Sequence, residues 1–218
     1  MILSAGFGTR LKPITDMIPK ALVVHKSKPL IYHQIERLKK AGVDEVVINL
    51  HHMSEKIIGY LQSREFGIKI NIIVEENILG TGGGIINAKE YLENEKFFPV
   101  INVDVDTDFE LKKIIDFHSV HSSIATIAVQ KRKASRYLDF SAQMLLVGRA
   151  NENSLYENQF AFNGIHIISG EFFNEFYEKR YNDIIDLYLQ LILRGKSISG
   201  FDTGDSYFKD LGRRENLV

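Results

Sequence analysis

The 218-residue chain is long enough for one substantial core, and 44% hydrophobic with 25% charged residues is the profile of a globular protein. A formal net charge of −1 supplies no global field for nucleic acid or anionic lipid, so any positive charge that matters is local. The absence of cysteine excludes disulfides and thiolate metal sites, no apolar run approaches the roughly 18 residues of a bilayer span, and the start MILSAG has no secretory signature.

These exclusions predict a cytoplasmic enzyme or binding protein with neither membrane nor nucleic acid as partner. MILSA predicts a short strand, and the glycine-rich, cationic stretch GFGTRLKPIT…PKAL follows at once. Leu30, Ile31, Ile35 and Leu38 recur at helical spacing in PLIYHQIERLKKAG, which Gly42 terminates. EVVINL reads as a strand, SEKIIGYLQSREFG as a helix with Ser54 as N-cap, and IKINIIV as a strand. GTGGGIINAKEYLENE reads as a loop running into a helix, FFPVINV as a buried strand and FELKKIIDFHSVH as a striped helix. Beyond about residue 123, SIATIAVQ, YLDFSA, MLLVGRA and FAFNGIHII read as shorter antiparallel or mixed strands. A helix at DIIDLYLQLILRG and the strands SISGFD and SYFKD complete the chain.

Strand–helix alternation implies right-handed crossovers, hence a single α/β domain, Rossmann-like with three α/β/α layers and a mostly parallel, mixed central sheet. In such sheets ligands bind beyond the carboxyl ends of the strands. Residues 6–20, 75–84 and 104–108 are therefore the candidate functional loops, and they are also the three most unusual stretches.

Gly6 and Gly8 allow backbone N–H groups to approach an anion, in a pattern that is neither G-x-G-x-x-G nor G-x-x-x-x-G-K-[ST]. Arg10 adds a planar fork of donors and Lys20 a point charge, suited to a triphosphate. In INVDVDTDF, carboxylates at a strand end require solvent or a cation, and oxygen ligands suit Mg2+. Asp104 is the leading ligand, whereas Asp108 is expected to cap the helix that follows. The adjacent His51 and His52 point to opposite sides and form no chelate. His118 and His121 are expected on a solvated helix face, KRKASR (131–136) as a solvated loop, Asp202 and Asp205 in turns, and FFNEFYEKRY as a helix burying its Phe residues.

The run Gly6-Phe7-Gly8-Thr9-Arg10-Leu11-Lys12-Pro13-Ile14-Thr15, followed by Pro19-Lys20-Ala21-Leu22, closely resembles the signature of the sugar-1-phosphate nucleotidyltransferases. NLHH, EENILGTGGGI, FNGI and YFKDLG extend the resemblance over the chain. It implies the glycosyltransferase-A-like nucleotidyltransferase fold, with a nucleotide-binding half (1–122) and a sugar-phosphate-binding half (123–218). It also implies transfer from a nucleoside triphosphate to a sugar 1-phosphate with release of pyrophosphate. Arg10, Lys20 and Asp104 are implied as catalytic, and Asp104 and Asp210 as the Mg2+ ligands. Ser4, Ala5, Gly6, Gly8, Thr9, Arg10, Glu75, Gly80 and Thr81 are implied at the nucleotide, and Lys20, Gly83, Asn163 and Gly164 at the sugar phosphate.

Departures from the family pattern are Val103 where many members carry glycine, Phe162 where many carry asparagine, and Gln130-Lys131-Arg132-Lys133 in place of a Glu-Lys-Pro-like segment. The F-x-G-I form and TGGGI resemble short, single-domain members of the MurNAc-1-phosphate uridylyltransferase or mannose-1-phosphate guanylyltransferase kind, with no hexapeptide repeats. The expectation is UTP with a hexose or N-acetylated hexose 1-phosphate, in a monomer or weak homodimer. GTP- or dTTP-dependent transfer is the alternative within the class. A glycosyltransferase using V-D-V-D as its metal motif, or a non-catalytic nucleotide-sugar sensor, would lie outside it.

Overall fold

The computed structural model describes residues 1–217. The first half holds β1 (Ile2–Leu3), α1 (Ile14–Met17), β2 (Val24–His25), β3 (Lys28–Pro29), α2 (Leu30–Lys40), β4 (Glu45–Leu50), α3 (Ser54–Gln62), β5 (Lys69–Val74), α4 (Gly80–Asn87), α5 (Lys89–Leu92), β6 (Phe97–Asn102), β7 (Val105–Thr107) and α6 (Leu111–Val120). The second holds β8 (Ala125–Gln130), β9 (Leu138–Phe140), β10 (Leu146–Arg149), β11 (Asn158–Ser169), α7 (Phe172–Glu175), α8 (Ile184–Leu193), β12 (Ile198–Asp202) and β13 (Phe208–Asp210).

One sheet runs through both halves. β5, β4, β1 and β6 are neighbours and parallel, with Ile2 opposite Ile48 on one side and Ile101 on the other. β11 then joins β6 antiparallel, β8 joins β11 antiparallel, and β12 closes that edge parallel to β8. The sheet is mixed with a parallel core and helices on both faces, as the alternation predicts.

Period-two alternation divides the apolar side chains between the faces. Ile2, Ile48 and Ile101 share one cluster with the α2 stripe Leu30, Ile31, Ile35 and Leu38. Leu3, Val47 and Val100 share the other with Ile184, Leu187, Tyr188 and Leu191 of α8. Each such fully buried aliphatic side chain contributes roughly 1.5–3 kcal/mol of transfer free energy.

Tertiary packing overrides the local expectation in several places. Ser54 is the first helical residue of α3, not its cap; Met53, at φ 53°, precedes it without a capping side chain. Asp108 does not cap α6, which begins at Leu111 after Glu110; its Oδ1 instead accepts from Tyr207 N at 2.8 Å. The GTGGG run is helical from Gly80. Phe172, Phe173 and Phe176 are buried as expected, but the helix ends at Glu175 and residues 177–181 are exposed.

His118 is not on a solvated face. It is 3% exposed, with Nδ1 2.8 Å from Thr126 Oγ1 and Nε2 3.2 Å from Ser169 Oγ. Burial lowers its pKa to about 4, with a smaller contribution from His121. The folded state thus takes up its proton later on acidification than the unfolded chain, whose histidine titrates near 6.5. Stability should fall as pH drops from about 6.5 to about 4. Thermal melts across that window should show the loss, and His118→Gln should flatten the slope.

Candidate active site

β1 pairs with β4 on one side and β6 on the other, which makes its carboxyl end the point where strand order reverses. The loop that leaves it folds back on itself. Gly8 sits at φ 66°, and a Cβ there would lie 2.9 Å from Thr15 Cγ2 and 3.1 Å from Lys20 Cβ. Only glycine admits both the left-handed turn and this close approach. Thr15 Oγ1 donates to Gly8 O at 2.8 Å, and buried Leu11 pins the short 3-10 turn Thr9–Leu11 to the core. From Ala5 to Arg10 the backbone N–H groups find no acceptor among the described residues. The Ser4 hydroxyl at the base of the loop is also buried without a partner.

Lys20 and Asp104 form an ion pair at 3.0 Å, both largely buried. Burial pushes the Asp104 carboxyl up, but Lys20 and, from further off, Arg10 outweigh it and hold it below its ordinary value. The second carboxylate arrives from the other end of the chain. β13 pairs antiparallel with β7, Asp210 opposite Val105, and Leu211 N donates to Asp104 O at 2.8 Å. Arg10 Nη1 lies 3.3 Å from Asp210 Oδ2.

Gly212 sits where these groups meet. A Cβ on it would collide with Asp104 Oδ2, approach Asp210 Oδ1 at 2.9 Å and Arg10 Nη2 at 3.1 Å. Two carboxylates aimed at one point are hard oxygen donors, and Mg2+ commonly takes one or two carboxylates and completes its shell with water and substrate phosphate. The residues fit that ion, and Asp104 and Asp210 would hold it. Among the described residues no group of three or more His, Asp or Glu side chains could hold a metal by itself. Asp106 is not available as a ligand, since His25 Nε2 at 2.9 Å and Lys26 Nζ at 2.8 Å engage it.

Glu75, buried beyond β5, is a hub. Its Oε1 accepts from Asn49 Nδ2 at 2.7 Å and its Oε2 from Leu79 N at 3.0 Å, while Asn49 Oδ1 accepts from Ser4 N at 2.9 Å. His51 Nδ1 donates to Glu75 O at 2.8 Å, and Phe7 lies edge-on to the His51 ring with centroids 5.3 Å apart. The glycines of α4 are squeezed from both sides. A Cβ on Gly84 would lie 2.6 Å from Asn49 Nδ2, one on Gly80 2.6 Å from Asn182 O, and one on Gly83 would collide with Arg180 O. Gly82 N donates to Asn182 O at 2.9 Å, and Ile184 N to Thr81 Oγ1 at 2.9 Å. Gly80, Thr81 and Gly83 therefore dock α4 against the 180–184 segment, and Thr81 takes the first amide of α8 beside its N-cap Asp183, which accepts from Ile185 N at 2.9 Å.

Asn163 and Gly164 lie where β11 bends beside β6. Asn163 Nδ2 donates to Thr203 Oγ1 at 3.1 Å, and a Cβ on Gly164, at φ 71°, would lie 2.7 Å from Asn102 Nδ2. Gln130 Nε2 donates to Gly204 O and Ser206 O, each at 2.7 Å, clamping the turn that returns the chain to Asp210.

Arg10, Asp104 and Asp210 thus meet at Gly212, Lys20 on Asp104 lies 3.9 Å from where a Gly6 Cβ would be, Glu75 reaches the base of the loop through Asn49, and Gly164 packs on Asn102 at the end of β6. Sequence reading left three participants without a role. Gly212 stood inside YFKDLG, and Asn49 was the polar residue inside the otherwise apolar run that follows Glu45 in EVVINL. Arg132 was assigned to a solvated loop, yet it is half-buried against Phe208, 4.1 Å from the ring centroid. Lys131, its neighbour, is exposed and lies 5.3 Å from the Phe160 ring centroid.

Several known proteins resemble this chain in sequence and in fold. Mannose-1-phosphate guanylyltransferase 1 of Arabidopsis thaliana is 43% identical over 136 residues, covering 60% of this chain and 37% of that protein. The mannose-1-phosphate guanyltransferase of Candida albicans is 40% identical over 134 residues, again covering 60% and 37%. The chain thus spans well under half the length of these curated relatives. Among solved structures, HddC from Yersinia pseudotuberculosis superposes with a TM-score of 0.79 at 26% identity, covering 99% of this chain and 94% of that one. A UDP-glucose pyrophosphorylase from Acinetobacter baumanii superposes at 0.84 with 16% identity, covering 99% and 89%, which speaks for the fold alone. A family model described as nucleotidyl transferase matches residues 1–218, and the chain belongs to that family.

Proposed function

We propose that this chain transfers a nucleoside monophosphate from a nucleoside triphosphate to a sugar 1-phosphate and releases pyrophosphate. The observation that carries the reading is the convergence of Asp104 and Asp210 with Lys20 and Arg10 over Gly212, below a loop of unpartnered backbone amides. A phosphate oxygen of the sugar 1-phosphate attacks the α-phosphorus, the new P–O bond forms, and the bond to the β-phosphate oxygen breaks. The nucleophile is already an anion near neutral pH, so no general base is required.

The obstacle is repulsion between two polyanions, and local positive charge with positioning overcomes it. The amides of 5–10 and Arg10 cradle the triphosphate, and Lys20 steadies charge between donor and acceptor. Mg2+, when bound by Asp104 and Asp210, would supply charge neutralisation to the triphosphate. The half up to residue 122 would serve the nucleotide and the half beyond it the sugar phosphate.

Two readings of the substrate pair are supported. Relatives named mannose-1-phosphate guanylyltransferases, with HddC also solved complexed with GMP-PN, favour GTP with a mannose-type 1-phosphate. The F-x-G-I form around Phe162 and Gly164 favours UTP with a hexose or N-acetylated hexose 1-phosphate.

Pyrophosphate release with Mg2+, measured over five nucleoside triphosphates against several sugar 1-phosphates, should require both partners, and the best pair names the substrates. Folded protein that binds nucleotide but releases none would reject the transfer reaction in favour of a sensor or glycosyltransferase. Asp104→Asn should lower turnover roughly 10³-fold and Lys20→Ala roughly 10²–10³-fold, the scale of losing one preorganised charge-stabilising group. Full Mg2+-dependent activity in Asp104→Asn would refute its assignment as a ligand. Gly212→Ala should also lower turnover at least tenfold while the chain remains folded, because the methyl group displaces both carboxylates; unchanged steady-state rates would show that the convergence is not used.

A further inference from the structure

Arg132 follows β8 by two residues, and its guanidinium is fixed on three sides. Nε donates to Asn163 Oδ1 at 3.0 Å, Nη2 donates to Phe162 O at 3.0 Å, and the plane lies 4.1 Å from the Phe208 ring centroid. Asn163 is itself held by Thr203, so its orientation is set before Arg132 reaches it. These bonds use the side edge of the fork. The end edge, with Nη1, has no acceptor among the described residues, and Nη1 is not a buried orphan. Nor does any described carboxylate lie within ion-pair distance of Arg132, although Lys20, the other partly buried cation of the site, has one.

A half-buried, immobilised arginine with no counter-ion is costly, because burial disfavours its charge. Burial does lower the Arg132 pKa, with Asp210 opposing the shift and Arg213 adding to it. A purely mechanical role, tying β11 to β13, would need only the two hydrogen bonds and the stacking. It would leave unexplained why a planar cation with a free end is held here. A guanidinium forks onto phosphate through paired N–H groups, and with Nε and one Nη2 hydrogen engaged, the end edge is the pair left to do so here. Phe208 stands two residues before Asp210, and Asn163 directly precedes Gly164, which packs on Asn102 beside the Asp104 strand end.

We propose that Arg132 is the cation that grips the phosphate of the sugar 1-phosphate, presenting the free end of its fork on the acceptor side of the carboxylate pair. This rests on the transfer reaction proposed above. Lys131, exposed and packed on Phe160, is not the acceptor's cation.

The test compares the full chain with Arg132→Gln and Arg132→Lys, using the best substrate pair. Arg132→Gln should raise KM for the sugar 1-phosphate at least tenfold, leave KM for the nucleotide within twofold, and leave Tm within a few degrees. Arg132→Lys, which keeps the charge but loses the fork, should fall between. An unchanged KM for the sugar 1-phosphate, or an equal loss for both substrates together with a lowered Tm, would overturn the assignment. If Arg132→Gln does not fold, the folded lysine variant decides by the same split in KM. Calorimetric titration with the sugar 1-phosphate reads the contact without turnover: an at least tenfold weaker Kd in the variant supports it and an equal Kd overturns it. A native chain that binds the sugar 1-phosphate through Arg132 but releases no pyrophosphate would sink the transfer reaction and leave this contact standing.

Discussion

The ion pair between Lys20 and Asp104 is the contact around which the remainder of the site is arranged. Removing two charges from water is expensive, and their attraction repays the cost only when geometry is good. The chain supplies that geometry from both directions. The left-handed turn at Gly8 brings Lys20 in over a surface with no Cβ, and the end of β6 delivers Asp104 at the sheet's switch point. The Arg10–Asp210 pair then closes the other side, with Gly212 leaving the room that both carboxylates occupy. Positive and negative groups are interleaved, so the site holds its own charges in place and still offers cations to a phosphate ligand.

The glycines of α4 illustrate how a phosphate-like pattern can serve packing. Five residues, four of them glycine, start this helix, and helix N-termini attract anions. Here Asn182 O already takes the Gly82 and Gly83 amides, and Thr81 Oγ1 accepts from Ile184 N at the start of α8. The small residues let α4 press between the Asn49–Glu75 pair behind it and the 180–184 segment in front. Glu75 in turn braces Ser4 through Asn49, linking the 75–84 loop to the start of the first loop. The two loops therefore share one hydrogen-bonded support, and displacement of either strains the other.

Much of the fold was legible because hydrophobic period and length decide it locally. The α2 stripe, the apolar strands and their alternation with helices specified a parallel core with an antiparallel extension. Legibility failed where a side chain's fate depends on a distant partner. His118 reads as part of a polar face, yet Thr126 and Ser169 bury it. Asp108 has the spacing of a cap, yet Tyr207 N takes its carboxylate. Arg132 lies in a run of cations that reads as solvated, yet distant residues, Asn163, Phe162 and Phe208, take it in while its neighbour Lys131 stays exposed.

The sequence alone determined the class of chemistry: a glycine-rich turn followed by Arg10 and Lys20, and Asp104 at the end of an apolar strand, constitute an anion cradle beside a carboxylate. Those signals survive in one dimension because backbone freedom and charge are properties of residue type and short spacing. The resemblance pointed to Asp210 as the second acid, and the tertiary structure is what brings it to Asp104. Asp202, Asp205 and Asp210 are equivalent as residues, but Asp202 Oδ1 accepts from Gly204 N in a turn, whereas β13 pairing with β7 brings Asp210 to Asp104. That choice rests on a ladder between segments about a hundred residues apart and on the Gln130 clamp that turns the chain back, neither of which leaves a local trace.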